Sequence, residues 1–232
     1  MTGTVAAIVA HPDDEVLACG GALAAHAAAG HRVRILLLST GLISRGEVSA
    51  AEIEKLQGEA RQAAEVLGAE EVEFADFPDN AMDSVRLLEV VKRVEGFLKN
   101  FPAEVVYTHH GGDLNIDHRV VQQAVLTACR PLPGRGPLEI LACEVNSATE
   151  WAASPAPPFV PTEFLDISAT LDVKVRALEC YRGELRAWPH PRSLEGVRAL
   201  ARWRGAQAGF EAAEAFMTLR RIRPAIVAST EA

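Results

Sequence analysis

Apolar strands alternate with amphipathic helices along this 232-residue chain. That order predicts an α/β fold, a doubly wound, mostly parallel sheet with helices on both faces in a Rossmann-like three-layer sandwich. Residues 5–10 are an unbroken run of Val, Ile and Ala, and residues 33–39 are mostly Val, Ile and Leu, as strands buried on both faces require. The segments between them carry their apolar residues at helical spacing. Histidines and carboxylates gather just after strands, where α/β folds keep their chemistry.

The elements follow in order. Residues 5–10 form the first strand, and residues 15–29 a small-residue helix ended by Gly30. The second strand, 33–39, leads into a polar loop at 40–48. A helix over about 50–67 stops at Gly68. Residues 71–75 form a short third strand entering the turn Phe77-Pro78-Asp79-Asn80. Val85, Leu88, Val91, Val94 and Leu98 place a helix over about 84–100. The fourth strand, 105–108, opens into the polar segment 109–118 and a helix reaching about Cys129. Residues 138–145 read as a fifth strand, and the Ala-, Ser- and Pro-rich stretch 146–161 as a long loop over the active-site edge. A last short strand at 164–168, helices at about 169–186 and 194–208, and a frayed tail from about 223 complete one expected domain over 1–232.

Composition narrows the function. The chain is 49% hydrophobic and 23% charged with a net charge of −8, which suits a globular protein and argues against a nucleic-acid partner. No apolar run approaches the roughly 20 residues of a membrane span, and no basic region precedes the first strand as in a signal peptide. The cytoplasm is the expected location. Cys19, Cys129, Cys143 and Cys180 lack the close spacing of a metal knuckle or redox motif, and read as buried thiols. The sequence leaves homo-oligomerisation open.

The most informative segment is His11-Pro12-Asp13-Asp14-Glu15 at the end of the first strand. Packing does not account for an imidazole and three carboxylates there, and such carboxylates repel one another unless a cation lies between them. The segment His109-His110-Gly111-Gly112-Asp113-Leu114-Asn115-Ile116-Asp117-His118-Arg119 follows another strand, so a parallel sheet puts both clusters on one edge. His11, Asp14 and His118 together offer two imidazoles and a carboxylate, a donor set of catalytic zinc sites with a position left open for water. A bare helix-cap contact is the competing reading for His118. Glu15 suits the first turn of a helix, where its charge complements the dipole. Gly20 and Gly21 allow close packing of helix on sheet. They are not a dinucleotide fingerprint, because no G-x-G-x-x-G follows the strand.

These residues carry a family resemblance. Ala10 to Glu15 with Gly20-Gly21, the segment from Glu59-Ala60-Arg61 to Gly68, Phe77-Pro78-Asp79, residues 113–118 and the strand and helix from Phe164 resemble the LmbE/PIG-L-like zinc-dependent deacetylases. The resemblance implies removal of an acetyl group from N-acetylglucosamine-type sugars, with His11, Asp14 and His118 holding Zn2+ or another divalent transition metal. It makes Asp13 the general base, with a second role as orienter of His11 left open, and Asp79 a sugar-pocket residue unless it only forms an Asx turn. Arg119 and Asp166 would support the site from behind.

The chain departs from that pattern twice. Asn115 stands where many members have a histidine paired with the following aspartate, here Asp117. An amide can donate to an oxyanion but cannot act as an acid, so His110 or His190 is a candidate replacement partner for Asp117. His190 lies in Trp188-Pro189-His190-Pro191-Arg192, and a plain exposed-loop histidine is the alternative. Leu56 stands where many members have a substrate-binding arginine, which Arg45 could replace. The resulting expectation is a hydrolase that takes an N-acyl amino sugar, with Asp13, Asn115, Asp117 and His190 in the chemistry and Arg45, Asp79 and His110 around the substrate. A metal-binding protein without catalysis is the competitor. A nucleotide-binding methyltransferase is disfavoured because acids stand where a glycine-rich loop would cradle phosphate.

Overall fold

The computed structural model describes residues 3–42, 49–133, 136–153 and 155–223. Strands β1 (Thr4–Val9), β2 (Arg32–Ser39), β3 (Glu71–Phe77), β4 (Val105–His109), β5 (Glu139–Cys143), β6 (Glu163–Asp166) and β7 (Ala213–Arg221) form one seven-stranded sheet in the order β3-β2-β1-β4-β5-β7-β6. The first five are parallel. Strand β7 runs antiparallel to both its neighbours. The mostly parallel, doubly wound sheet expected from the sequence is therefore present.

Helices α1 (Asp14–Ala28), α2 (Ala50–Leu67), α5 (Leu171–Cys180) and α6 (Leu194–Ala208) cover one face, while α3 (Leu87–Asn100) and α4 (Ile116–Ala128) cover the other. Alternation along β1 shows how the sheet divides its core. Val5, Ala7 and Val9 join the first layer, and Ala6, Ile8 and Ala10 the second. The chain passes from β1 outward to β3, then returns to place β4 on the other side of β1. The reversal opens a crevice between the carboxyl ends of β1 and β4, the position where such sheets bind ligands.

Three expectations need correction. The helix placed at 84–100 begins at Leu87, because residues Met82–Ser84 form a 3-10 turn and Arg86 is extended. The helix placed at 169–186 ends at Cys180, where the chain turns to bring Tyr181 inward to Glu15. Strand β7 lies beyond the segment expected to be the last strand. Its Ala, Glu, Met, Leu and Arg residues are good helix formers, and pairing between β5 and β6 overrides that preference.

Strand β7 also repairs a break in α1. Cys19 has non-helical backbone angles, φ −148° and ψ 18°, which frees main-chain groups inside a buried helix. Glu214 of β7 accepts from Gly21 N at 2.9 Å and Ala22 N at 2.7 Å. Lys174 of α5 donates to Leu17 O at 2.9 Å and to Glu214 Oε1 at 2.5 Å. Both charged residues are buried. Gly21 permits the approach of this layer, since a Cβ there would fall 2.8 Å from Ile167 Cδ1. No helix among the described residues is long and apolar enough to cross a membrane.

Candidate metal centre and active site

The end of β1 is shaped by Asp13, whose φ of 105° lies on the left-handed side. For a non-glycine residue such backbone costs about 1–3 kcal/mol and persists only where its surroundings fix it. Here it turns the chain from strand into helix within four residues. Asp14 N bonds back to His11 O at 3.2 Å, and Leu17 N to Asp13 O at 2.9 Å. Glu15 Oε2 accepts from Asp13 N at 3.1 Å, and Tyr181 donates its hydroxyl to Glu15 Oε1. Glu15 thus sits in the first helical turn as expected, but it braces the Asp13 bend as well. Its burial pushes the carboxyl pKa up to about 7 despite the Tyr181 bond.

His11, Asp14 and His118 come together at the crevice, each offering a ligand atom within 4.8 Å of the others. His11 Nδ1 lies 3.0 Å from Asp14 Oδ2, and His118 Nε2 lies 3.2 Å from the same oxygen. Each imidazole has a second carboxylate behind it. Asp117 Oδ2 is 3.0 Å from His11 Nε2, and Asp113 Oδ2 is 3.2 Å from His118 Nδ1. Metal-ligating histidines are commonly oriented in this way. His11, Asp79 and Asp117 form a second grouping. In that set both Asp117 oxygens are already engaged by main-chain amides, Asn80 N at 2.6 Å and Met82 N at 2.9 Å. Asp117 is therefore better suited to orient His11 than to serve as a ligand.

Two features of the first set suit a divalent cation. Neither ring nitrogen of buried His118 has a hydrogen bond despite the carboxylates beside it. The carboxylates also draw positive charge inward. Burial opposes protonation of His11, yet its bonds to Asp117 and Asp14 outweigh it and lift the pKa to about 10. His118 rises to about 9 against the same penalty, chiefly through Asp14 and Asp113. For Asp14, burial works upward, but His118 and the bond from His11 hold the carboxyl well below its usual range.

The remaining expected residues divide. Asp13 is buried next to Asp14, and Arg192 Nη1 donates to its Oδ2 at 3.1 Å. Burial raises the Asp13 pKa well above the ordinary value, with Arg192 opposing. Asp79 is buried, with Oδ1 3.4 Å from His11 Nε2 and accepting from Asn80 Nδ2 at 3.0 Å. Asn115 is the N-cap of α4. Its Oδ1 accepts from Asp117 N at 2.9 Å, and its Nδ2 donates to Asn80 Oδ1 at 2.9 Å.

The expected pairing of Asp117 with His110 or His190 is not found, because His11 and two main-chain amides take that carboxylate instead. His110 is buried with Nε2 on Pro157 O at 2.9 Å. His190 Nδ1 accepts from Arg192 N at 3.0 Å, and its ring meets Trp151 edge-on at 5.6 Å. Asp166 does not support the site either. It is exposed and bonds Ser168. Arg119 does so indirectly, donating to Leu114 O at 2.8 Å in the loop before α4. Arg45 lies outside the described residues. Leu56 is buried in the core.

Two contributors went unassigned in the sequence. Asp113 stands behind His118 and is itself fixed by Thr149 Oγ1 at 2.7 Å and Asn115 N at 2.9 Å. His109 stacks on His118 with ring centroids 3.7 Å apart, and its Nε2 accepts from Ala10 N at 2.8 Å. That bond requires a neutral ring, and burial together with the neighbouring His118 lowers the His109 pKa to about 3. The place of both residues in the polar segment was the available signal.

The family model described as PIG-L: GlcNAc-PI de-N-acetylase matches residues 6–129, which include every residue of the ligand set. The chain belongs to this family. It is 30% identical over 190 residues to an uncharacterized deacetylase of Escherichia coli, YaiS, covering 77% of this chain and 90% of that one. It is also 32% identical over 205 residues to 4-oxalmesaconate hydratase of Pseudomonas putida, covering 79% and 74%. The solved structure of GalB, the 4-carboxy-2-hydroxymuconate hydratase of Pseudomonas putida, superposes with a TM-score of 0.77 at 25% identity, covering 98% of this chain and 100% of that one. The family thus includes deacetylases, and one similar relative is a hydratase.

Proposed function

We propose that this chain is a single-domain, metal-dependent hydrolase that removes an N-acetyl or related N-acyl group from an amino sugar or its conjugate in the cytoplasm. One observation carries the reading. Two imidazoles and a carboxylate from the segment after β1 and the first turns of α1 and α4 converge, with a further carboxylate, Asp13, adjacent in the chain but outside the set. His11, Asp14 and His118 would hold Zn2+. When bound, zinc supplies Lewis acidity and lowers the pKa of a water from 15.7 to about 7.

The chain's own groups supply the proton handling. Asp13 takes a proton from the attacking water and delivers it to the amide nitrogen as the C–N bond breaks, so that the products are acetate and a free amine. Asp117 orients His11 and Asp113 orients His118. Asn115 has one amide hydrogen on Asn80, and its other can donate to the developing oxyanion. Asp79 faces the substrate from the β3 turn. Neither His110 nor His190 is needed for this scheme, because Asp13 performs both transfers.

The similarity to 4-oxalmesaconate hydratase favours a second reading, in which the same base and metal site add water to a carbon–carbon double bond. Zinc-reconstituted protein offered N-acetylglucosamine, its glycosides and an unsaturated dicarboxylate separates the two. Acetate and free amine appearing together support the deacetylase. Loss of alkene absorbance without either product supports hydration.

A further inference from the structure

Asp13 is held by a residue from the far end of the chain. Its Oδ2 accepts from Arg192 Nη1 at 3.1 Å, and among the described residues no other group bonds that carboxylate. The same guanidinium donates through Nε to Ser147 Oγ at 2.6 Å, while Glu184 Oε2 lies 3.6 Å from Nη1. The loop carrying Arg192 is anchored in turn. Arg192 N donates to His190 Nδ1 at 3.0 Å, Asn146 Nδ2 donates to Pro191 O at 3.1 Å, and Ser193 caps α6 by accepting from Gly196 N at 2.9 Å. The segment between α5 and α6 is therefore fastened to the loop after β5 by Asn146 and Ser147. Ser147 has a left-handed φ of 67°, as Asp13 has one of 105°. Its amide donates to Glu150 Oε1 at 2.6 Å. Two non-glycine residues on left-handed backbone thus meet at one guanidinium.

We propose that Arg192, fixed by Ser147, is a positioning residue that grips Asp13 by Oδ2 and leaves Oδ1 to meet the reacting water. The inference rests on the hydrolase reading of the site. An unpaired Asp13 carboxylate could rotate about its side chain, and a misplacement of about 1 Å in a reacting group costs on the order of 10²-fold in rate. Arginine suits the task because its rigid planar fork reaches Ser147 and Asp13 from separate nitrogens. Lysine has a single point of charge and cannot hold both. Arg192 acts through Asp13, so its loss should slow turnover without weakening substrate or metal binding.

The test uses the full-length, zinc-loaded protein with N-acetylglucosamine and a simple N-acetylglucosaminide, reading kcat, KM and metal content. Arg192→Ala should lower kcat by about 10²-fold with KM and metal content unchanged. Arg192→Lys should recover only part of the rate. Added guanidinium should raise kcat of the alanine variant and leave Asp13→Asn unaffected. The Asp13→Asn/Arg192→Ala double variant should be no slower than Asp13→Asn alone, as expected when one residue acts through the other. Wild-type kcat in Arg192→Ala, or a change confined to KM, overturns the proposal. If Arg192→Ala does not fold, Ser147→Ala removes the Nε partner while keeping the guanidinium, and it should lower kcat to a smaller extent. An unchanged rate in that variant overturns the proposal.

Failure of the wild type on both sugars would sink the deacetylase reading, and the pairing is then judged from thermal unfolding of the same single and double variants. Non-additive shifts in midpoint support the grip on Asp13; additive ones overturn it.

Discussion

His11 Nε2 lies 3.0 Å from Asp117 Oδ2, while the other nitrogen of the same ring lies 3.0 Å from Asp14 Oδ2. Asp117 is itself pinned by the amides of Asn80 and Met82. The turn after β3 therefore fixes which face of His11 is presented to Asp14.

Metal binding is expected to follow this arrangement. Wild type should bind about one equivalent of zinc, and His11→Ala and His118→Ala should lose it. Asp117→Asn and Asp113→Asn should keep it with affinity reduced about 10–100-fold, since orienting partners typically contribute that much. Elemental analysis and competition with a chromophoric chelator measure both. Metal content unchanged in His11→Ala and His118→Ala would show that the ligands lie elsewhere.

The Lys174–Glu214 pair is expected to stabilise the fold by closing the break in α1. Glu214→Ala leaves the Lys174 ammonium and the amides of Gly21 and Ala22 without their partner, and breaking a buried pair costs about 3–5 kcal/mol. Replacing both residues by apolar ones should not restore stability, because the amides and Leu17 O would still be buried without partners. Denaturant unfolding checks this. A double apolar variant as stable as wild type would reduce the pair to a packing detail.

The pH dependence of stability should include a contribution from His26. Its Nδ1 lies 2.9 Å from His31 Nδ1 and its Nε2 3.0 Å from Tyr107 Oη. Burial first, and His31 second, lower its pKa from 6.5 to about 4. The unfolded chain therefore binds this proton more readily than the folded one. Stability is unaffected by the group above pH 6.5 and declines as pH falls from there toward 4. Thermal midpoints of His26→Gln measured across that window should fall less steeply than those of wild type. Parallel curves would contradict the assignment.

Most of this architecture was legible because it rests on local pattern. The runs at β1 and β2 can only be buried strands, and Ser49 with Glu52 forms a capping box where α2 was expected to begin. The grouping of His11, Asp14 and His118 was legible for a related reason, since His11 to Asp14 and Asp117-His118 are short clusters where helices begin after strands. Strand β7 was not legible, because its sequence favours helix and its conformation is imposed by two distant strands. The partner of Asp117 was hidden for the same reason. The sequence shows that the family histidine is replaced by Asn115, but only the β3 turn reveals Asp117 facing His11. Arg192 reaches Asp13 across 179 residues, a distance that no local pattern spans.

The most direct measurement compares zinc-loaded wild type with Asp13→Asn, following acetate and free amine released from an N-acetylglucosaminide while zinc content is determined on the same samples. Wild type should release equal amounts of both products. Asp13→Asn should keep its zinc and lose about 10²–10⁴-fold in rate, the range expected for removing a general base. Wild-type turnover by Asp13→Asn, or loss of its zinc while Asp14→Asn retains the metal, would contradict the roles assigned to these adjacent aspartates.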